Sequence, residues 1–584
     1  MKNIVQNVTN LYAISTSVGS GKTHAAIRYM NDGTWCNQNF IYVAPTKLLL
    51  GQTAESLREV ISKRIGQDAL HVHIVHSDCR QDEGVPTWLE ALRVIEEAAD
   101  QKGQVIMLTT TTFLNIVWRI RNKALWRVIL DEAFQPVTFY QHHLGKDVES
   151  GFRYFEEVFA IHPDKGYLIT PAPGCETKVA EIASGNFERS GDQAKGHQGL
   201  AALVANRAQR CEVVQTTKVK MLLDARYGHQ SPAVITDNPS DEDEGSGSIL
   251  LVACYFTPEE FLGFKEVIFM AALFDRTILY YLWQKQFGIR FSRHSFFEYA
   301  RLRDTHLEQG QYISIGHLLH PDDSTSKMNL SRNAITGEAN ESQTGQRVID
   351  ALVQAAKEYF KDQPFLLQAN DGYDYERKDC PLLPSTAIKI PTLSHGLNDY
   401  KGIHHVAALA VTNPNPQEAG WVMNKTGLSH RETLMAYRIH TTYQAVGRTS
   451  IRCRSNCHEQ KVFLVVGYDD AKLLHDIFPR SSWLGQVGNL PALSLLQRQE
   501  KADGVILGTT KAICLYLESL PDDIRRVSSR ALKAAIAPDT APRSWAKATG
   551  LVASGVTGWV RQGSSFVRQT FHELFGEDTE ALAI

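Results

Sequence analysis

The stretch Ser15–Thr23 reads STSVGSGKT and follows the apolar run Leu11–Ile14, which gives it the composition and setting of a phosphate-binding loop. A second apolar run, Val128–Leu130, leads directly into the segment Asp131–Phe134, which reads DEAF. Glycines between a strand and a helix let backbone N–H groups surround phosphate oxygens, and the Lys-Thr pair supplies a cation and a metal-binding hydroxyl. Together the two segments predict hydrolysis of a nucleoside triphosphate.

The residues of these two segments have separate roles in this prediction. Lys22 reaches the β- and γ-phosphates, while Thr23 and Asp131 bind Mg2+. Glu132 lies beside the metal-binding carboxylate, where it polarises the attacking water. The nucleotide-binding set is the whole loop: Thr16, Ser17, Val18, Gly19, Ser20, Gly21, Lys22 and Thr23.

One position of the loop departs from the usual GxxxxGK[ST] pattern, because the first glycine is Thr16 here. The alternative interpretation is a turn rich in glycine and serine. A simple turn leaves unexplained why Lys22 and Thr23 open an apolar helix over His24–Met30. We therefore favour the phosphate-binding interpretation, which the DEAF segment at a strand end supports independently.

Length and composition are those of a multidomain globular protein. The chain has 584 residues, of which 43% are hydrophobic and 21% are charged. Its net charge of -3 provides no overall attraction to nucleic acid, so any such binding requires local patches. The polar segment Met1–Asn10 lacks the pattern of a signal peptide, and no apolar stretch is long enough to span a membrane. With nine scattered cysteines, these features predict a cytoplasmic protein that does not contact a membrane.

Short apolar runs separated by helical segments recur in two parts of the chain, which is typical of parallel sheets buried on both faces. The first part has predicted strands at Leu11–Ile14, Phe40–Val43, Val72–Val75, Val105–Leu108 and Val128–Leu130. The second part has them at Tyr312–Ile315, Pro364–Leu367, Ala387–Ile390, Val406–Val411 and Val462–Val466, with a helix over Gln346–Phe360. The predicted fold class is therefore α/β.

The segment 135–262 interrupts the first part and carries helical and irregular patterns. Its acidic, glycine- and serine-rich run Asp237–Ser248 predicts a solvated loop. Strand patterns resume at Ile249–Tyr255 and Val267–Met270, and a buried helix is predicted over Thr277–Trp283. We interpret 135–262 as an insertion into the first α/β part.

The predicted organisation has three domains. They are a first α/β lobe at 1–290 that contains the insertion, a second α/β lobe at 291–500, and a small, helical and basic domain at 501–584.

The order of motifs resembles that of superfamily 2 helicases and translocases, of the DEAD/DEAH-like kind. In the order of that family's motifs I, Ia, Ib, II, III, V and VI, the matching segments are Thr16–Thr23, Ala44–Lys47, Thr109–Thr112, Asp131–Phe134, Met270–Leu273, Gly396–Asp399 and Gln444–Arg452. The resemblance implies two RecA-like lobes that bind ATP and Mg2+ between them and move along a nucleic-acid strand. It also implies a set of residues that contact the strand: Pro45, Thr46, Thr110, Thr111, Gly396 and Asn398.

The resemblance gives motif VI a catalytic role. It implies that Gln444 contacts the γ-phosphate, that Arg448 is an arginine finger, and that Arg452 is a further catalytic arginine. A planar, permanently charged fork from the second lobe is suited to stabilising charge on a transferring phosphoryl group.

Several positions depart from the family pattern. DEAF is neither DEAD nor DEAH, and Met270-Ala271-Ala272 replaces the Ser-Ala-Thr of motif III, which removes the hydroxyls that link hydrolysis to strand separation. The last arginine of motif VI lies one residue late, at Arg452, with Ile451 in its usual place.

The insertion is similar to that of the DinG-like branch, which commonly carries a four-thiolate iron–sulfur cluster. Only Cys36 and Cys79 lie between motifs I and II, so we expect no iron–sulfur centre. In general character the sequence is similar to helicase-like proteins of phages and mobile elements.

The C-terminal part carries the clearest basic patch. Over residues 525–568 the single acid Asp539 is outnumbered by eight cationic residues: Arg525, Arg526, Arg530, Lys533, Arg543, Lys547, Arg561 and Arg568. The spacing of Ala546, Gly550 and Val556 is similar to a helix-turn-helix. In that interpretation Lys547, Thr557, Arg561 and Gln562 contact duplex DNA. The alternative is a helical bundle whose basic face is solvated or docks on a lobe.

Three functions compete at this point. The first is an ATP-dependent helicase or translocase that grips a single strand, with DNA favoured because of the possible helix-turn-helix. The second is a nucleotide-switched DNA-binding regulator or replication initiator that does not unwind its target. The third is an RNA helicase, since hydroxyl contacts to phosphates do not read the sugar.

Overall fold

The computed structural model describes residues 10–568. The description omits 36, 64–69, 80–83, 145–147, 186–190, 215–222, 224–248, 324, 335–345, 374–384, 393, 395–399, 494–508, 511, 515, 518, 522–523, 537, 539–544, 547, 550–551, 553–558 and 563. Several of the predictions above fall outside the described residues: the loop Asp237–Ser248, the motif V segment Gly396–Asp399 with its site residues Gly396 and Asn398, the helix-turn-helix positions Gly550 and Val556, and the site residues Lys547 and Thr557.

The first lobe is built on a six-stranded parallel sheet with the strand order β1-β11-β5-β2-β4-β3. Its strands are β1 Asn10–Thr16, β2 Asn39–Ala44, β3 His71–Val75, β4 Gln104–Thr109, β5 Trp126–Asp131 and β11 Glu266–Ala272. All six strands match predicted apolar runs. The accompanying helices are Lys22–Met30, Lys47–Ser62, Thr87–Ala98, Thr110–Ile116 and Ile278–Phe287.

The apolar runs form the two cores of this lobe, one on each face of the sheet. Ile41 and Leu130 lie in one core, while Tyr42 and Ile129 lie in the other, and all four are buried. Alternating side chains of each strand thus enter opposite cores, which explains why the strands read as continuous apolar runs.

The insertion carries an antiparallel sheet with the order β6-β10-β9-β8-β7. Its strands are β6 Val137–His143, β7 Phe159–His162, β8 Leu168–Pro171, β9 Gln209–Val213 and β10 Ile249–Phe256, and its helices are Val148–Glu156, Glu176–Ala183 and Gly191–Ala205. The expectation of helical and irregular structure is therefore wrong for β6 to β9, whereas the predicted strand at Ile249–Tyr255 is confirmed as β10. Only β10 is a long apolar run; the other strands are short or mixed in polarity, and they are stabilised by partners distant in sequence.

The second lobe contains another six-stranded parallel sheet, with the order β14-β13-β15-β16-β12-β17. Its strands are β12 Ile313–His317, β13 Phe365–Gln368, β14 Ala387–Ile390, β15 His405–Ala408, β16 Lys461–Val465 and β17 Ser482–Gln486. The helices between β12 and β17 are Lys327–Ser331, Val348–Phe360, Pro416–Thr426, His430–Arg438, Gln444–Val446 and Tyr468–Ile477, with a π-helical turn over Ile439–Tyr443. Two parallel sheets and an insertion confirm the predicted α/β class.

The strand β17 was not predicted. It lies at the edge of the second sheet, and its residues Trp483 and Leu484 are exposed. An edge strand with outward-facing residues lacks the buried apolar run by which the inner strands are recognised.

The chain divides into two compact units. One consists of Met1–Leu318, Thr325–Lys327 and Leu352–Gly488, and it includes both parallel sheets and the insertion sheet. The other consists of Leu319–Ser324, Met328–Ala351 and Asn489–Ile584. The domain boundaries at 290 and 500 remain predictions.

The C-terminal part combines a helix over Ser529–Ile536 with an antiparallel sheet of order β18-β20-β19. Its strands are β18 Arg526–Ser528, β19 Trp559–Gln562 and β20 Ser565–Arg568. Trp545, Trp559 and Phe566 share its small core.

The predicted recognition helix is wrong at Arg561 and Gln562, which lie on β19 and pair with Phe566 and Ser565 of β20. The sequence 559–568, WVRQGSSFVR, places a Gly-Ser turn between two alternating runs, which is a hairpin pattern. Trp559 is buried, and the Arg568 guanidinium lies 5.0 Å from the centre of its ring. Pairing with β20 buries Trp559, and this burial favours a strand here over the helix that the spacing predicted.

Candidate nucleotide-binding and hydrolysis site

The predicted phosphate-binding loop lies between the end of β1 and the helix that begins at Lys22. Gly19 and Gly21 have φ angles of 68° and 92°, in the left-handed region that favours glycine. Gly21 is the N-cap residue of the helix. The glycines therefore make the turn that sets helix N–H groups around the loop, as phosphate binding requires.

Lys22 is buried beneath this loop. Its ammonium group donates to the carbonyl oxygen of Ser17 at 3.3 Å, and burial lowers the pKa of the lysine. Glu132 and Asp131 oppose that shift by favouring the charged form. A buried cation held by a loop carbonyl is suited to contacting phosphate oxygens.

Thr23 and Asp131 are in direct contact, as the metal-binding prediction requires. The Thr23 hydroxyl donates to Oδ2 of Asp131 at 2.6 Å, and the carboxylate is almost fully buried. Burial and the neighbouring charge of Glu132 raise the pKa of Asp131. A hydroxyl and a carboxylate are the hard oxygen ligands that Mg2+ prefers, so these residues fit the ion.

Glu132 follows β5 with an unusual backbone conformation. Its φ angle is 120°, and its N–H donates to the carbonyl oxygen of Met270 at 2.9 Å. A non-glycine residue with such a φ angle is strained, and strain of this kind clusters at functional sites.

Two residues of motif VI, in the second lobe, are connected to Glu132 by hydrogen bonds. The Gln444 amide donates to the Glu132 carboxylate at 3.4 Å, and Arg448 donates to the Gln444 amide oxygen at 3.2 Å. Gln444 and Arg448 are buried. The predicted catalytic residues therefore form a connected set across the two lobes.

Arg452 lines the same cavity as Lys22, Asp131 and Arg448, despite its shifted position in motif VI. The helix Gln444–Val446 gives way to a 3-10 turn over Ser450–Arg452, and Ile451 points into the core of the second lobe. Nε of Arg452 donates to the carbonyl oxygen of Gly447. The change of helix type thus accommodates the extra residue.

Arg448 and Arg452 place two positive charges close together at the cavity. Burial and the charge of Arg452 lower the pKa of Arg448 to about 9, and burial also lowers the pKa of Arg452. The buried Lys22 and Arg448 and the half-buried Arg452 line a cavity of about 300 Å³. A polyanion such as a triphosphate would offset the cost of burying them.

Several residues that line the cavity or hold its loop were not predicted from the sequence. The helix Lys47–Ser62 contributes Gln52, Thr53 and Ser56 to the cavity, and the second lobe contributes Lys401. Polar residues recurring on one face of an otherwise packed helix are a signal that could have indicated the first three. Lys401 has no comparable signal, since it lies in a turn between strands.

A segment after the first lobe also supports the loop. Thr305 donates through its hydroxyl to the carbonyl of Val18 at 2.8 Å and through its N–H to the Ser17 hydroxyl at 3.0 Å. The Arg303 N–H donates to the carbonyl of Ser20 at 3.1 Å. The short helices Ser295–Tyr299 and Thr305–Gln309 flank Arg303.

The predicted strand contacts of the first lobe lie on neighbouring strand ends. Pro45 and Thr46 follow β2, and Thr110 and Thr111 follow β4, which pairs directly with β2. The Thr46 hydroxyl accepts from the N–H of Leu49 at 3.2 Å and so caps its helix. The two loops thus meet at the edge of the sheet that also carries the phosphate-binding loop.

The remaining predicted contacts belong to the second lobe and to the C-terminal part. Arg561 lies on β19, and the others, Gly396, Asn398, Lys547 and Thr557, lie outside the described residues.

No helix among the described residues is long and apolar enough to cross a membrane.

Among solved structures, the chain is similar to Dbp5 of S. cerevisiae bound to RNA and ADP BeF3, with 10% identity over 85% of this chain and 88% of that one and a TM-score of 0.32. It is also similar to Mss116p, with its NTE and C-tail deleted, bound to ssRNA and AMP-PNP, at 11% identity, 87% and 78% coverage and a TM-score of 0.26. Values this low identify no relative, so the fold assignment rests on the two parallel sheets themselves. No curated protein has significant sequence similarity to the chain.

One sequence family does match. Residues 2–146 match the DEAD/DEAH box helicase family, and this segment contains the phosphate-binding loop and the DEAF segment. This part of the chain is therefore similar to the DEAD/DEAH box helicase domain.

Proposed function

We propose that the chain is an ATP-dependent nucleic-acid helicase or translocase whose hydrolysis site is completed by residues of both lobes. One observation carries this proposal: a single cavity is lined by Lys22, Thr23 and Asp131 of the first lobe and by Arg448 and Arg452 of the second. A site shared in this way links nucleotide binding to lobe closure, because only the closed arrangement makes all the contacts.

Each side chain has a definite role in this proposal. Lys22 and Arg452 bind phosphate oxygens, while Arg448 stabilises charge that develops on the transferring phosphoryl group. Glu132 orients the attacking water, and Gln444 holds its carboxylate in place.

Thr23 and Asp131 would hold Mg2+ in this site, since their oxygen atoms are in contact at the cavity wall. When bound, the ion neutralises phosphate charge.

The track is proposed to be a nucleic-acid strand gripped through its phosphates. Pro45, Thr46, Thr110 and Thr111 provide two adjoining loops with hydroxyl and N–H donors, which bind phosphates without reading bases. Gly396 and Asn398 are proposed as further contacts from the second lobe. The preference for DNA depended on the helix-turn-helix, which β19 replaces, so we propose no preferred sugar.

Steady-state ATP hydrolysis tests the proposal, measured without polymer and with single-stranded DNA, duplex DNA or single-stranded RNA. The expected result is strong stimulation by at least one single strand, abolished in Lys22→Ala and Glu132→Gln. The stimulating polymer would also identify the track. Hydrolysis that is slow and indifferent to every polymer would contradict a motor function.

A nucleotide-switched regulator is the second candidate, and one observation favours it. Met270, Ala271 and Ala272 end β11 without the hydroxyls that relay hydrolysis to strand separation in the family pattern. A regulator would bind nucleic acid differently with ADP and with a non-hydrolysable ATP analogue, but would not displace a strand. A strand-displacement assay with saturating ATP separates the two candidates.

A further inference from the structure

The hydroxyl of Tyr42 reaches the metal-binding carboxylate from within the core of the first lobe. Tyr42 lies on β2, the neighbour of β5, and its side chain is fully buried. Its hydroxyl donates to Oδ2 of Asp131 at 2.5 Å. Thr23 donates to the same oxygen at 2.6 Å. Two hydroxyls therefore hold one oxygen of this carboxylate.

We propose that Tyr42 is a positioning residue for Asp131, which fixes the orientation in which the carboxylate meets Mg2+ or its water ligands. This role rests on the proposed function, because it belongs to the same nucleotide site. Groups that hydrogen-bond a metal ligand fix its orientation and are important for metal affinity.

The placement of the two donors explains why Tyr42 has a role distinct from that of Thr23. Thr23 belongs to the helix that starts at the phosphate-binding loop, so its position depends on the loop. Tyr42 is instead anchored in a central strand, between β5 and β4. In the described part of the chain, both recorded hydrogen bonds to Asp131 fall on Oδ2, which leaves Oδ1 for the metal or its water.

The tyrosine is suited only to donating this hydrogen bond. The ionised Asp131 carboxylate can only accept, so the phenol of Tyr42 is the donor. A neutral phenol in this position orients the carboxylate without replacing it as a metal ligand.

Tyr29 provides a matched control within the same lobe. It is also fully buried, and its hydroxyl donates to the carboxylate of Glu266. Glu266 begins β11 and pairs with Arg127 near the start of β5, whereas Asp131 ends β5. Removing either hydroxyl deletes a buried phenol–carboxylate bond, but only one of the two bonds lies at the cavity.

The experiment measures Mn2+ binding to the full chain with ADP by electron paramagnetic resonance, in wild type, Tyr42→Phe and Tyr29→Phe. We expect Tyr42→Phe to weaken Mn2+ binding by about 10-fold or more, which is the effect of removing a group that orients a metal ligand. ADP binding in EDTA should stay close to wild type, as should Mn2+ binding by Tyr29→Phe. Thermal unfolding verifies that each variant is folded, and Tyr42→Met provides a second variant without the hydroxyl.

The outcomes separate this role from the proposed function. Unchanged Mn2+ affinity in Tyr42→Phe, or an equal loss in Tyr29→Phe, would overturn the positioning role. If wild type binds no Mn2+ with ADP, both the positioning role and the proposed nucleotide site fail. If Tyr42→Phe alone loses affinity while no polymer stimulates hydrolysis, the positioning role holds and the motor function fails.

Discussion

The backbone N–H of Val18 donates a 3.0 Å hydrogen bond to the phenol oxygen of Tyr443. Val18 lies in the phosphate-binding loop of the first lobe, and Tyr443 directly precedes Gln444 in the second. The same phenol is hydrogen-bonded to Nε2 of His306 at 2.5 Å. Val18 also packs in the core cluster of the second lobe. The phosphate-binding loop is therefore a direct contact between the lobes.

Tyr443→Phe should weaken this contact between the lobes. Loss of the phenol leaves the buried Val18 N–H without its acceptor, which costs about 1–3 kcal/mol in the closed arrangement. We expect the rate of ATP hydrolysis at saturating ATP to fall by about 5- to 150-fold, since that energy disfavours closure. Tyr468→Phe, at an exposed tyrosine of the same lobe, is the control and should hydrolyse ATP like wild type. Equal rates in both variants would show that the contact does not govern closure.

Gly19→Ala should disrupt the contact between the loop and motif VI. A Cβ atom at Gly19 would lie 2.9 Å from the Cα atom of Arg452, and φ at this position is 68°. Gly166→Ala is the matched control, because its φ is 75° but no atom lies within 4 Å of the added Cβ. Both variants lose about 1 kcal/mol to backbone strain, but only Gly19→Ala should also lose hydrolysis. Calorimetric unfolding and ATPase rates together check this, and normal hydrolysis by Gly19→Ala would refute it.

The insertion is joined to the second lobe by an ion pair whose carboxylate is buried and whose lysine is partly exposed. Lys425, on the helix Pro416–Thr426, lies 2.5 Å from the carboxylate of Glu212 on β9. Trp421 of the same helix packs against Phe139 and Tyr255 of the insertion, with ring centres 5.7 and 5.3 Å apart.

Removing one partner of this pair should destabilise the protein more than removing both. Lys425→Met alone leaves the buried Glu212 carboxylate with the Tyr255 hydroxyl but without its cation, which costs about 3 kcal/mol, whereas Lys425→Met with Glu212→Gln should recover much of that loss. Urea unfolding measures the difference. Lys63→Met breaks the exposed pair with Glu59 and should cost less than about 1 kcal/mol. A double variant no more stable than the single one would contradict this account of the interface.

Acid should destabilise the fold through buried histidines. Burial lowers the pKa of His142 to about 3 and of His197, His306 and His405 to about 4, below the ordinary 6.5. Between pH 6.5 and 4 the unfolded chain binds protons at these sites and the folded chain does not, so stability falls as the pH is lowered.

His142→Phe tests this acid dependence. Its ring lies 4.6 Å from that of His197 in the insertion, and both are buried. The variant should reduce the dependence of unfolding free energy on pH by about 1.4 kcal/mol per pH unit between pH 6 and 4.5. Denaturant titrations across that range measure the slope, and identical slopes in wild type and variant would exclude His142 as a contributor.

Much of the first lobe could be predicted because its strands are buried on both faces. The run Val128–Leu130 and the acidic segment after it indicate both a strand and a site, since parallel strands carry their chemistry at the carboxyl end. The motif VI residues Gln444 and Arg448 could be identified only through a family resemblance. The contact of Gln444 with Glu132 depends on how two lobes dock, which local sequence patterns do not encode.

The failures have equally physical causes. The prediction from helical spacing around Ala546 did not take into account β20, the partner strand that makes Trp559 part of a hairpin. From the sequence, Tyr42 is indistinguishable from the apolar residues of its strand, although its hydroxyl reaches Asp131 from the neighbouring strand. Such contacts are set by register between strands far apart in sequence.

The central claim is that residues of the second lobe complete the hydrolysis site, and single-turnover ATP hydrolysis by Arg448→Ala tests it most directly. With saturating ATP and the stimulating polymer, the rate should fall on the order of 10³-fold relative to wild type, which is the contribution of an arginine finger. ATP affinity should change far less, because Lys22 and the loop remain intact. A hydrolysis rate equal to that of wild type would show that the first lobe hydrolyses ATP without the second.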